Sequence, residues 1–147
     1  MSGAGRKYVP EPEGLNLEFH RASADGTLRL QRCDGCGRFR HPPRYYCADC
    51  ASPRSSWVPV SGHGHLYSWV VTHFTVDRGW AEEVPYATAA VELDEGPRLV
   101  GALRGIDPGQ LQIGMPVLID VDAKGDDFVF LWVDALEGGR EHLRSYG

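Results

Sequence analysis

From Trp57 onward, apolar and polar residues alternate with a period of two, in runs separated by turn-forming residues. In "GHLYSWVVTHFTV" the alternation puts Tyr67, Trp69, Val71 and His73 on one face, and Leu66, Ser68, Val70, Thr72 and Phe74 on the other. Four more runs follow: "YATAAVEL", "RLVGALRG", "MPVLIDVDA" and "DFVFLWVDAL". Their connections, "DRGWAEEVP", "DEGP", "IDPGQLQIG" and "KGDD", are rich in turn formers. Five strands of this length, with Gly62, Gly64 and Gly101 where a curved sheet must bend, predict a small closed or partly open barrel of the OB type. A five-stranded sandwich is the alternative. Upstream, "LNLEFHRASADGTLRLQRC" predicts a short amphipathic helix near Leu15 to Ala24, a turn at Asp25-Gly26, and a strand with Leu28 and Leu30 on one side. That helix is either a docking arm or a cover for the segment behind it.

Between helix and barrel lies "QRCDGCGRFRHPPRYYCADC", which holds all four cysteines of the chain. Cys33-x-x-Cys36 and Cys47-x-x-Cys50 are separated by ten residues, a spacing that lets two tight turns face each other and offer four thiolates tetrahedrally. Four soft ligands fill a zinc shell and leave no position for water, so the pattern predicts one structural Zn2+ per chain rather than a hydrolytic site. Redox dithiols and a rubredoxin-type iron are the alternatives. The expected fold class is therefore mainly β: a short N-terminal helix, a rubredoxin-like zinc ribbon and a C-terminal five-stranded OB barrel. The expected boundaries are 1–27 for the arm, 28–56 for the ribbon, 57–135 for the barrel domain and 136–147 for a tail.

The length of 147 residues allows one real core, or one modest domain with an appendage. Net charge is −5 at pH 7, but residues 29–54 carry six arginines and two aspartates, which leaves −9 for the rest. Such a field argues against a nucleic-acid binder, although ribbons and OB folds both occur in that role. No apolar run approaches the roughly 18 residues of a membrane span, and a cytoplasmic location is expected. Reduced cytosolic cysteines fit metal better than disulfides. Arg38, Arg40 and Arg44 either screen the thiolates or contact a phosphate. Trp80, in the connection from Asp77 to Pro85, is either an interface anchor or a ring folded back on its own core. His63, His65 and His73 lack a third ligand or a general base at a familiar spacing, and no nucleophile elbow, phosphate loop or H-E-x-x-H helix is present. No catalytic residue is expected.

Three stretches in this order, "RCDGCGRFRHPPRYYCADC", "VPYATAAVELDEGPRLVGAL" and "IGMPVLIDV", resemble the thiolase-associated family of zinc-ribbon and OB-fold proteins, an acyl-CoA-associated family first catalogued as a domain of unknown function. The likeness runs from about Leu15 to Val133. It implies a non-catalytic accessory subunit bound to a thiolase-superfamily, lipid-transfer-protein-like partner in a heterotetramer. Carbon–carbon bond formation or cleavage on a CoA thioester would occur in that partner, with steroid side-chain or aromatic catabolism as plausible settings. Carried over residue by residue, the resemblance makes Cys33, Cys36, Cys47 and Cys50 the zinc ligands. Only these four positions carry over; with an acyl-CoA setting implied, Arg38, Arg40 and Arg44, if they contact a phosphate, are candidates for that of CoA, and Trp80 is a candidate partner contact.

Overall fold

The computed structural model describes residues 7–136; the expected tail falls almost wholly outside them. The first element is helix α1 (Gly14–Ala22), which ends two residues before the expected Ala24. Strands β1 (Arg29–Cys33), β2 (Phe39–Arg40) and β3 (Ser55–Pro59) form an antiparallel ribbon sheet in the order β2-β1-β3. Trp57 lies on β3 opposite Gln31 of β1, so the strand that opens the alternating region completes the ribbon rather than the barrel.

The barrel is closed and runs β4 (His63–Thr72), β5 (Tyr86–Leu93), β6 (Arg98–Arg104), β8 (Val129–Ala135), β7 (Pro116–Ala123) and back to β4. Among the described strands only β6 and β8 pair in parallel. One strand must therefore cross over, and the order along the wall departs from the order along the chain. Gly64 shows how the wall closes, because it is paired at once with Leu93 of β5 and Val117 of β7. A Cβ at that position would press on the Glu92 carbonyl and lie 2.8 Å from Val91 Cγ1, so only glycine fits.

Leu66, Ala89, Val91, Leu99, Val117 and Val133 are among the side chains that fill the barrel, each essentially removed from water. The same apolar cluster continues through Phe19 of α1 and Leu28 and Leu30 of the ribbon, with Trp57 packed against it. Helix, ribbon and barrel thus share one core. At about 1.5–3 kcal/mol for each fully buried aliphatic side chain, the barrel holds most of the stabilising burial.

The alternation expected through "GHLYSWVVTHFTV" breaks in the middle of β4. Leu66 pairs with Val91 and Ser68 with Ala90, which leaves Tyr67 as the extra residue of a bulge. A bulge shifts the period-two pattern by one, so Leu66 points inward before it, while Trp69 and Val71 pack on the core after it. Tyr67 is turned outward beneath the Arg98 guanidinium, 3.8 Å from its ring.

At the other end of β6, Arg104 grips Asp134 of β8 through two bonds of 2.7 and 2.9 Å, and reaches Asp120 of β7 at 2.8 Å. Its guanidinium also lies over Trp132, 4.8 Å from the ring centre. Its two hydrogen-bonded carboxylates, Asp134 foremost, hold it firmly in the charged state. An exposed pair alone contributes little, but a bidentate arginine shared by three strands contributes more. Arg104→Ala is expected to lower stability by about 1 kcal/mol in a urea melt, with an unchanged m-value because the closed barrel remains.

Candidate metal centre and candidate interfaces

The two cysteine knuckles are built alike. The Gly37 N–H donates to the Cys33 carbonyl at 2.9 Å, and four residues after the other leading cysteine the Ala51 N–H donates to the Cys47 carbonyl at 2.9 Å. That fourth position is left-handed in both turns, with φ of 79° at Gly37 and 65° at Ala51. Glycine meets this without strain in the first knuckle, whereas alanine is held there in the second.

The turns aim amide donors at sulfur. Cys33 Sγ accepts from the N–H groups of Gly35 (3.3 Å) and Cys36 (3.5 Å), and Cys47 Sγ from that of Asp49 (3.4 Å). The Cys36 amide, with that of Gly35, pulls the Cys33 thiol down to about 6. Cys47 is lowered by the amides of Cys50 and Asp49. Cys50 behaves oppositely: the Ser52 amide pulls its thiol down, but bonding to Cys33 and burial prevail and push it up to about 11. In each knuckle the backbone amides therefore favour the thiolate of the leading cysteine.

All four Sγ atoms lie within 4.8 Å of one another, with Cys33–Cys50 at 3.5 Å and Cys36–Cys47 at 3.6 Å. A zinc ion bonded at about 2.3 Å to four sulfurs requires sulfur–sulfur edges of about 3.8 Å, so this donor set fits structural zinc. Among the described residues it is the one group of metal-ligating side chains; His63, His65 and His73 are not gathered into another. No helix among these residues is long and apolar enough to cross a membrane.

The three candidate arginines separate. Arg38 is exposed and pairs with Asp49 at 3.6 Å. Arg40 donates from Nε to Gln31 Oε1 (2.8 Å) and from Nη2 to the Arg44 carbonyl (3.0 Å). Arg38 and Arg40 line one cleft with His41 and Glu95, while Arg44 lines another concavity with Tyr45 and Tyr46. The organiser of this region is Gln31, which is 3 % exposed and also accepts from the Arg44 N–H at 2.8 Å. Its position between Leu30 and Arg32 in a strand read by its leucines gave no signal of that role.

Trp80 sits in a one-turn 3-10 helix (Arg78–Trp80) whose start is capped by the Asp77 carboxylate accepting from the Gly79 N–H at 2.8 Å. Its half-buried ring leans on Tyr86 and Phe130, with centroids 5.2 and 5.8 Å away. Strongly exposed apolar side chains include Val70 on β4, Phe74 and Val76 after it, Val100 on β6 and Ile113 between β6 and β7.

Comparison with known proteins follows the same division. Residues 22–55 match the family model described as the ChsH2 rubredoxin-like zinc ribbon domain, and residues 57–122 the ChsH2 C-terminal OB-fold domain. A "DUF35 domain-containing scaffold protein" of Methanocaldococcus jannaschii is 30% identical over 132 residues, 87% of this chain and 93% of its own. A "probable enoyl-CoA hydratase alpha subunit" of Thermomonospora curvata is 41% identical over 105 residues, 71% of this chain. The aligned stretch makes up only 32% of that relative, so the chain spans about a third of its length. Among solved structures, a chain of the "Ltp2-ChsH2(DUF35) aldolase" superposes with a TM-score of 0.77 at 35% identity, covering 86% of this chain and 98% of that one.

Proposed function

Since the chain belongs to the DUF35 family of ChsH2-type zinc-ribbon and OB-fold proteins, we propose that it is a non-catalytic accessory subunit of a thiolase-superfamily assembly acting on acyl-CoA thioesters. The observation that carries this reading is the match over 98% of the DUF35 chain of an aldolase. The donor set agrees with a structural ion: four thiolates close the metal shell and leave no open position for a substrate. The zinc then holds the ribbon in shape, and the chemistry falls to the partner.

In this reading the partner is a thiolase-fold subunit paired with the chain in a cytoplasmic heterotetramer. The exposed Val70, Phe74 and Val76 on and after β4, with Val100 on β6, contribute to the contact, since exposed apolar side chains in such number mark an interface. Of the three arginines, Arg44 is the one whose guanidinium makes no hydrogen bond or ion pair among the described residues, and we assign it to a CoA phosphate at the border of the substrate passage. Steroid side-chain or aromatic acyl groups are the proposed substrates of the assembly.

Affinity capture of the tagged chain from its native host, with zinc assayed on the same sample, tests this. Recovery of a thiolase-fold subunit in a fixed ratio, with about one zinc per chain, is expected. Recovery of nucleic acid, or of the chain alone, would overturn the reading.

A further inference from the structure

Three large aromatic side chains stand apart from the common core. Phe130 and Trp132 alternate along β8 with the buried Val129 and Val133, so they project from the outer face of the barrel. Trp80 leans on Phe130 from the connection between β4 and β5, and Phe130 meets Trp132 edge to face at 4.9 Å. None of the three belongs to the apolar cluster that joins helix, ribbon and barrel.

Together these rings line a crevice of about 440 Å³, a volume in the range of small-molecule pockets. The chain's own N-terminal arm supplies a second side through Tyr8, Val9 and Pro10. Lys7 pins that arm, with its Nζ 4.8 Å from the centre of the Trp80 ring and 3.3 Å from the Glu83 carboxylate. The place also fits a ligand. OB barrels make ligand contacts with the loop joining their first two strands and the loop joining their last two. Trp80 and Glu83 lie in the first of these loops, Lys124 and Phe128 in the second, and all four line the crevice.

The polar groups at the crevice are matched among themselves. Lys7 is paired with Glu83, and Lys124 with Asp122 at 3.1 Å. Trp132 Nε1 donates to the same Asp122 at 3.2 Å. An anionic group would meet cations that are already neutralised, and would lose its hydration without a free counter-charge. Ring faces, ring edges and the aliphatic side of the arm are what the crevice has left to offer, and flat rings use such surfaces best.

We propose that this crevice binds an uncharged, flat ring compound, stacked against Trp80, Phe130 and Trp132 and enclosed by Val9 and Pro10. Such a site goes beyond the accessory role and holds whether or not that role does. The ring arrives either as a free compound or as the end of a ring-bearing acyl thioester.

Proton–nitrogen NMR of the isotope-labelled, zinc-loaded chain, titrated with naphthol, tests the site through the four tryptophans. The indole N–H signals of Trp80 and Trp132 are expected to shift saturably while those of Trp57 and Trp69 stay in place. A dissociation constant of about 1 mM or tighter is expected, the scale for a ligand of that size. Naphthoate, which adds one negative charge, is expected to bind more weakly by a factor of about five. Trp80→Leu and Val9→Asp are each expected to weaken naphthol binding about tenfold, whereas Trp80→Phe keeps most of it, all with the zinc content of the parent chain. Naphthoyl-CoA binding as tightly as naphthol supports the site and names the thioester as the source; weaker binding supports it and names a free ring compound. Shifts spread over all four tryptophans, naphthoate binding as well as naphthol, or full binding by Val9→Asp would overturn the inference. So would a tighter response to a thymidine oligonucleotide, which would assign the rings to nucleic acid. Loss of naphthol binding when a captured thiolase-fold subunit is added, with the same two indole signals shifted, would place the crevice within the partner interface and likewise overturn it, leaving the accessory role standing.

Discussion

Cys47→Ala, or removal of zinc by a strong chelator, is expected to unfold residues 29–59 while the barrel stays closed. The reason is the poverty of the ribbon's own core. Leu28 and Leu30 are its buried apolar side chains apart from Cys33 and Cys47, with Phe39 and Trp57 only partly covered. Full burial of one leucine returns about 1.5–3 kcal/mol, whereas fixing the backbone of a residue costs about 1–2 kcal/mol at each of some thirty positions. Strand hydrogen bonds close part of that gap, and the metal supplies the rest: apparent binding energies of structural zinc in small finger domains run to about 10–16 kcal/mol. The barrel, with its continuous set of buried aliphatic side chains, has no such dependence. Hydrogen exchange reads the difference directly. The Cys33 and Cys47 amides, bonded at 2.8 and 3.0 Å to the Arg38 and Ser52 carbonyls, are expected to lose protection with the metal, while the Val91 amide keeps it. Persistence of ribbon protection after complete zinc loss would show that the clip is dispensable.

How much of this was legible in the sequence depends on the range of the interactions involved. The knuckles were readable because a metal site imposes its spacing locally: Cys33 to Cys36 and Cys47 to Cys50 are each one turn, and thiolate chemistry does not depend on the rest of the fold. The five barrel strands were readable because a strand with one face in the core writes a period of two. The Tyr67 bulge was not, since an extra residue in a strand is defined only against its partner, and Leu66 and Ser68 reveal it by their registers with Val91 and Ala90. The two readings of Trp80 could be weighed but not resolved for the same reason, as its contacts with Tyr86 and Phe130 join residues remote in sequence. Gln31 gave no signal beside the leucines that marked its strand, and its role appears only when β1 is set against the segment from Arg40 to Arg44.

His20 belongs to the same hidden class and sets the second large expected effect, a loss of stability on the acid side that a single substitution should flatten. The ring is 9 % exposed at the junction of helix and barrel, where its Nδ1 accepts from the Val129 N–H at 3.0 Å. It stacks on Phe128 at 4.7 Å and meets Phe19 edge-on at 5.2 Å. An Nδ1 that accepts cannot carry a proton, so protonation costs α1 its hydrogen bond to β8. Burial pushes the His20 pKa below its ordinary 6.5. Burial, and then the proximity of His20, does the same to His41, whose ring lies 5.0 Å from Phe19. Nearby, Arg21 and Asp127 bind each other at 2.8 Å. The sign follows from linkage: the unfolded chain takes up protons near pH 6.5 and the folded chain only at lower pH, so stability is full above about 6.5 and falls as the pH drops toward the folded-state values. Zinc release also sets in as thiolates protonate, so zinc must be assayed in each sample. His20→Asn separates the two causes, because its Oδ1 can take the place of Nδ1 but does not titrate. It is expected to shrink the acid-side loss between pH 6.5 and 5 in zinc-replete protein, leaving the share that belongs to His41. His20→Ala strands the buried Val129 amide and opens a cavity, at a cost of about 3 kcal/mol at neutral pH. An acid profile identical in the parent chain and His20→Asn would place the sensitivity in the thiolates alone, and the helix would then be held to the barrel by apolar contact rather than by this hydrogen bond.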